Sequence, residues 1–293
     1  MEQLISTGWW AHIPEHINPV LVSFGQFKVY WYGLMYPVGF LTSFFLVIYR
    51  IRSEKLILEE STVFDFLLWA IISIIFGARI GHVVSSDLSY YLANPWKIIS
   101  PFDFTGGLHY TGILGMSYHG GAIALVLAYI LFCYIRKINH WQFADIVAPA
   151  LPAGYTFGRI GNFINGELYG KVTTLPWGMY FPADPTHQLR HPSQLYEAFL
   201  EGIVLFLILW HLRKKKWFNG LTMSIYLIGY GVVRFFIEFI REQLEFTELY
   251  FGLINLAQVM SLLMILIGFG IMLIRKNRPY LPITKEEQGE ENG

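Results

Sequence analysis

Apolar positions run along this chain in long unbroken stretches, without the strict alternation that marks strands. The polar punctuation falls at spacings that fit membrane-spanning helices. A span needs about 20 mostly apolar residues. Seven segments meet that need, near Tyr30–Tyr49, Val63–Ser86, His119–Ile135, Phe143–Ile164, Gln194–Leu212, Leu221–Ile240 and Gly252–Ile274, with the fourth and sixth the more polar. The pattern predicts an all-α integral membrane protein of about seven transmembrane helices, with residues 1–293 forming a single integral membrane domain. Residues 1–28 carry Glu2, His12, Glu15, His16 and two prolines without a continuous apolar core, so they read as an external or interfacial arm and not as a cleavable signal. The end of the chain, 280–293, has the acidic, polar composition of a disordered tail.

Composition supports that class: 54% of the 293 residues are hydrophobic and only 14% charged, against roughly 25% charged in a soluble domain. Twenty-one Lys and Arg balance 21 Asp and Glu, so global charge does not point to nucleic acid and placement must carry the argument. Thirteen basic residues follow alternate helices, from Arg50, Arg52 and Lys55 through Arg136, Lys137 and Arg213–Lys216 to Arg275, Lys276, Arg278 and Lys285. Five lie on the opposite side and three, Arg79, Arg159 and Arg234, lie inside helices. The positive-inside rule then predicts an external N-terminus and a cytoplasmic C-terminus.

With that topology the second, fourth and sixth helices start at the cytoplasmic face, and a rise of about 1.5 Å per residue turns position into depth. Arg79 and Arg159 reach roughly 24 Å, Arg234 roughly 20 Å and Arg241 about 30 Å, while Tyr32 and His119 sit at the outer ends of the first and third helices. These six polar groups share the outer half. An arginine inside a bilayer is costly and usually faces a bundle interior or aqueous cavity, so several at similar depth suggest an anionic ligand. The simpler reading for Arg234 is a pair with Glu238 four residues on, and for Arg79 snorkelling to the interface. Arg159 has no acidic residue three or four positions away, so its partner must come from another element or from a ligand.

Arg159 lies in "GRIGNFINGELYG", residues Gly158 to Gly170. Arg159, Asn162 and Gly166 share a helical face, "NG" at Asn165 and Gly166 signals a helix stop, and Glu167 falls just beyond it. An arginine, two amides and a carboxylate in a low-dielectric setting each need a partner, and an anion site explains them together. The other polar clusters have plainer readings. "YWYGLMY" fits an interfacial aromatic belt, with Tyr32 the exception worth testing. His119 stands where a loop enters a helix, a place as common for a structural histidine as for a base. "RHPSQLYE" reads as a helix start at Pro192 and Ser193, with His191, Gln194 and Glu197 capping and orienting it. The single cysteine, Cys133, excludes an internal disulfide and a cysteine zinc cluster. HExxH, Walker and GxSxG motifs are absent, so metalloprotease and serine-hydrolase readings lose weight, and no metal or organic cofactor is expected.

"GRIGNFINGELYG", "WYGLMY", "HGG" at His119–Gly121, "RHPSQLYE" and "EFIR" at Glu238–Arg241 together resemble the bacterial prolipoprotein diacylglyceryl transferases across nearly the whole chain. The resemblance implies a seven-helix inner-membrane enzyme that moves the diacylglyceryl group of phosphatidylglycerol onto the lipobox cysteine of a preprolipoprotein signal peptide. The products are a thioether and glycerol 1-phosphate. It also implies catalytic roles for Tyr32, His119, Arg159, Asn162, Glu167 and Arg241 and a substrate-binding role for Gly170, with His109 competing with His119. Arg79 and Arg234 join the substrate-binding set by depth. On this reading Arg159 and Arg241 hold the lipid phosphate bidentately, Asn162 and Tyr32 orient it, and His119 or Glu167 takes the thiol proton. The alternative is a lipid or organic-anion transporter using the same arginines at a midway site.

Overall fold

The structure, a computed structural model, describes residues 8–25, 27–86, 88–100, 102–103, 109–110, 115–242, 249–250 and 253–281. Glu2, Gly106, Gly107, Leu108, Leu114, Gly252, the His109 side chain and the tail from Pro282 lie outside the described residues. The long apolar runs fold as helices because only internal hydrogen bonding satisfies the backbone where lipid offers no partner. They are α1 (Trp31–Ser53), α2 (Glu60–Ser86) and α3 (Tyr118–Ile135). The fourth run divides into α4 (His140–Val147), a 3₁₀ turn Ala148–Ala150 and α5 (Leu151–Asn165). Pro149 and Pro152 stand at the junction, where each removes a backbone donor and crowds the preceding turn. The fifth contains α6 (Ser193–Glu197), a π-helical stretch Ala198–Val204 and α7 (Leu205–Leu212). Then follow α8 (Leu221–Ile237) and α9 (Leu256–Arg275).

Five helical segments are long and apolar enough to cross a membrane, namely Trp31–Ser53, Glu60–Ser86, Tyr118–Ile135, Ser193–Leu212 and Leu256–Arg275, while Leu221–Ile237 is a shorter apolar helix. The sixth run thus stops three residues before the Ile240 expected from hydropathy. The physical reason is local: the Ile240 carbonyl accepts from the Lys171 amide at 2.8 Å, and Arg241 forms a β-bridge with Gly170, so the chain leaves the helix to pair with a loop. Within the arm before α1, Val20–Phe24 pairs antiparallel with Phe27–Tyr30, a hairpin that the apolar pattern does not signal.

The chain divides into two compact units, one from Met1–Leu56 and Trp141–Ile283 and the other chiefly from Ile57–His140. In the second unit α2 and α3 pack through the rings of Phe66, Trp69 and Phe132, with Arg136 paired to Asp65. In the first unit the end expected to be cytoplasmic is tied by ions and caps. Arg50 pairs with Glu54, Glu54 with Arg213, each at 3.0 Å, and the Asp145 carboxylate accepts from the Gly220 and Met223 amides at the start of α8. Those orphan amides need an acceptor, and Asp145 supplies it from another helix. At its other end α9 starts on a capping box between Asn255 and Gln258.

Candidate active site

The polar centre of the first unit is built on α5. Gly166 ends that helix in the left-handed conformation (φ +70°), where a side chain is strained. The turn folds the chain back, and the Glu167 carboxylate accepts from the Asn162 amide at 2.9 Å. Asn162 is in turn 3.4 Å from Arg159 Nη1. The partner that Arg159 lacks on its own helix is Glu197, at the end of α6, whose Oε2 lies 2.8 Å from Arg159 Nε. Glu197 is fully buried and receives two further arginines. Arg234 Nη1 on α8 lies 3.3 Å from the same Oε2, and Arg241 Nε lies 3.9 Å from Oε1. Arg234 also pairs with Glu238 at 2.5 Å, the pair expected from their spacing, and Glu238 accepts from Asn255 at 3.0 Å.

Glu197 is therefore not an end cap. It is the anion on which three guanidinium groups converge, and buried charges of this kind persist only where each is paired and hydrogen-bonded. Sequence reading also does not single out Tyr155, Glu201 or Asn255. A signal existed for two of them: Glu201 follows Glu197 by four residues inside an apolar run, and Tyr155 precedes Arg159 by four on one face. The Tyr155 hydroxyl accepts from Arg159 Nε at 2.6 Å, lies 3.3 Å from Glu197 Oε2 and makes a short hydrogen bond to Glu201. Two parts of the arginine set stay open. Among the described residues Arg159 Nη2 and the Arg241 guanidinium make no hydrogen bond.

Tyr32 sits in the first turn of α1, its hydroxyl 2.5 Å from that of Tyr36 and its ring against Gly161 of α5. Gly170 is enclosed by the chain itself: its amide bonds the His191 carbonyl at 2.8 Å, and a Cβ there would meet the Ile240 carbonyl at 2.6 Å and His191 Cβ at 2.7 Å. Its role in the structure is to let the loop after α5 lie against the segment that carries Arg241. Gly170→Ala must part that bridge, so we expect a stability loss of about 1–3 kcal/mol, the usual overpacking range, with activity reduced. Thermal unfolding of the purified variant together with a turnover assay checks this. A variant as stable and as active as the parent would refute the close-packing role.

The same loop is braced by a buried ion pair. Asp184 accepts from Arg190 Nε and Nη2 at 2.7 and 3.0 Å, from the Thr186 hydroxyl and amide and from the Gln188 amide, while Arg190 also meets Glu242 at 3.0 Å. Burial alone pushes the Asp184 carboxyl up, but the hydrogen bonds from Arg190, Thr186 and Gln188 outweigh it and hold the group well below the ordinary carboxylate range. A carboxyl with a depressed folded-state pKa binds its proton more readily unfolded, so its stabilisation is present above about pH 4 and is lost as pH falls through the folded-state value. The gap in thermal midpoint between the parent and Asp184→Asn is thus expected to be constant from pH 7 to 5 and to shrink below about pH 4. A gap that widened in acid would show the sign to be wrong.

Arg79 and His119 belong to the other unit. Arg79 spends its fork on backbone: Nε donates to the Ile98 carbonyl at 2.6 Å, Nη2 to Lys97 at 2.7 Å and Nη1 to Gly115 at 3.2 Å, and the group lies over the Tyr91 ring. That arrangement suits holding the segment after α2 and leaves the arginine's planar donor edge engaged. His119 is exposed in the first turn of α3, behind the Ser117 cap. Among the described residues no group of His, Cys, Asp and Glu has metal-binding geometry.

The fold and this centre define a helical membrane protein with a buried arginine–glutamate cluster. A family model described as prolipoprotein diacylglyceryl transferase matches residues 19–274. The phosphatidylglycerol–prolipoprotein diacylglyceryl transferase of Chlorobaculum tepidum is 49% identical over 276 residues, covering 93% of this chain and 94% of its own. That of Campylobacter hominis is 39% identical over 286 residues, 97% of each chain, and that of Aliarcobacter butzleri 39% identical over 269 residues, 90% of this chain and 96% of its own. The chain belongs to the prolipoprotein diacylglyceryl transferase family.

Proposed function

We propose that the protein transfers the sn-1,2-diacylglyceryl group of phosphatidylglycerol to the lipobox cysteine of a preprolipoprotein signal peptide. Sulfur displaces the phosphate ester at the terminal glycerol carbon: a C–S bond forms, a C–O bond breaks, and glycerol 1-phosphate leaves with the bonding pair. The reading is supported by family membership and, in the structure, by one observation above others: three arginines from two helices and a loop meet at Glu197, and two of them keep donors unused. Guanidinium edges match phosphate oxygens in pairs, and such bonds strengthen away from water. Arg159 and Arg241 bind the phosphate and stabilise the charge that grows on it as the C–O bond breaks. Arg234, held by Glu197 and Glu238, adds positive potential behind them. Asn162, with Tyr32, orients the lipid. The thiol is only a few per cent ionised at neutral pH, so a base must take its proton; Glu167 and His119 are the candidates, and His109 stands beside His119. No cofactor is needed, since the phosphate is already a leaving group.

Seven crossings, an external N-terminus, a cytoplasmic C-terminus and a site opening to the outer leaflet of the bacterial inner membrane complete the reading. The fourth and sixth crossings are the segmented helix from His140 to Asn165 and the shorter helix α8. Mixing the purified protein with phosphatidylglycerol and a lipobox peptide tests the function. Mass spectrometry is expected to show the peptide gaining one diacylglyceryl group as glycerol phosphate appears. An unmodified peptide with lipid moving between vesicles would replace the reading with transport.

A further inference from the structure

Arg159 is the residue on which the proposed chemistry leans most, yet a guanidinium on a long side chain has no fixed direction unless its neighbours supply one. Two atoms fix it here. Nε is taken by Glu197 Oε2 at 2.8 Å and by the Tyr155 hydroxyl at 2.6 Å, one turn back on the same helix. Among the described residues its remaining edge carries only the long contact from Nη1 to Asn162 at 3.4 Å. The guanidinium carbon also lies 4.9 Å from the Tyr155 ring centre, so the tyrosine touches the arginine both at its donor and across its face.

Tyr155 is itself held. Its ring packs edge-on against Tyr230 of α8, centres 5.6 Å apart, in a cluster with Leu205 and Leu209. A phenol has one proton, and its short bond to Glu201 directs that proton away from Arg159, leaving a lone pair to receive Nε–H. Glu201 is fully buried, and Tyr155 is its hydrogen-bond partner among the described residues. It stands inside the π-helical stretch Ala198–Val204, an irregularity frequently retained at functional sites. A buried carboxyl with so few partners is costly, and neither the proposed phosphate contacts nor the proton transfer uses it.

We infer that Tyr155, oriented by Glu201, is a positioning residue for Arg159: it occupies the Nε–H and turns the Nη edge toward the lipid phosphate. The inference rests on the proposed transferase function. Removing the hydroxyl leaves the charge of Arg159 in place but frees its direction, and direction matters most when the leaving phosphate gains charge.

The test uses the full-length protein in detergent with phosphatidylglycerol and a lipobox peptide. Tyr155→Phe is expected to lower kcat about tenfold per folded molecule, the effect of one lost hydrogen bond to a charged group, with KM for phosphatidylglycerol changed less than twofold; the thermal midpoint falls as well, because the buried Glu201 carboxyl loses its partner. Glu201→Gln is expected to have a similar effect alone and almost none when added to Tyr155→Phe, because it acts through the hydroxyl. Full kcat in Tyr155→Phe would overturn the inference. So would additive losses in the double variant, which mark independent packing roles. Where Tyr155→Phe fails to fold, a Glu201→Gln variant with parental kcat overturns it alone. If the parent protein itself leaves the peptide unmodified, the transferase reading has failed instead, which keeps the two failures apart.

Discussion

Arg159→Lys and Arg159→Ala are expected to reach the membrane at parental abundance and to transfer diacylglyceryl groups about 10²–10³-fold more slowly, the range seen when a donor to developing negative charge is removed. Abundance should hold because Glu197 keeps Arg234 at 3.3 Å and Arg241 at 3.9 Å, so neither substitution strands a buried carboxylate. Lysine is the more informative change. It preserves the positive charge, but it has no planar fork and no Nε–H to engage both Tyr155 and Glu197 while its far edge faces a phosphate. If charge alone mattered, Arg159→Lys would keep most of its turnover. If geometry matters, it falls nearly as far as alanine. Immunoblots of membranes and peptide mass spectrometry on matched amounts of protein separate abundance from chemistry, and a lysine variant within twofold of the parent would remove Arg159 from the phosphate clamp.

The helices were legible because hydropathy is read at the level of whole segments, and the apolar runs of α1, α2, α3 and α9 leave no competing fold. Breaks were less legible. Pro149 and Pro152 mark one in the fourth run, but no residue type in the sequence marks the π-helical turn after Glu197, and the early end of α8 depends on a contact made by a distant residue, Lys171 with the Ile240 carbonyl. The centre divides in the same way. Arg159, Asn162 and Glu167 stand out because they are costly residues within a single short stretch. The need of Arg159 for a partner from elsewhere also follows from sequence, and the structure supplies Glu197. The identity of that partner did not follow, since Glu197 lies next to helix-start residues whose capping role gave a sufficient local account. Glu201 was hidden by its apolar neighbours, and Tyr155 by the many tyrosines of a membrane protein.

Glu197→Gln carries the largest expected cost to the folded protein. The substitution keeps size and shape, yet it removes the one negative charge among the described residues that is paired with Arg159, Arg234 and Arg241 together. Glu238 still neutralises Arg234, at 2.5 Å, and Glu201 stays bonded to Tyr155, so Arg159 and Arg241 lose their ionic partner in a poorly solvated centre. Breaking a buried pair in this way costs about 3–5 kcal/mol. The thermal midpoint in lipid-free detergent is therefore expected to fall sharply. A purely structural carboxylate would predict the same fall whatever lipid is present. An anion that occupies the place of the lipid phosphate predicts more: phosphatidylglycerol should restore the midpoint of Glu197→Gln by a larger amount than it raises that of the parent, because the phosphate now supplies the missing charge and its binding is linked to folding. The neutral lipid diacylglycerol should not. Equal lipid-dependent shifts in variant and parent would reduce Glu197 to a packing residue, whereas a larger shift in the variant would show that protein carboxylate and lipid phosphate answer to the same three arginines.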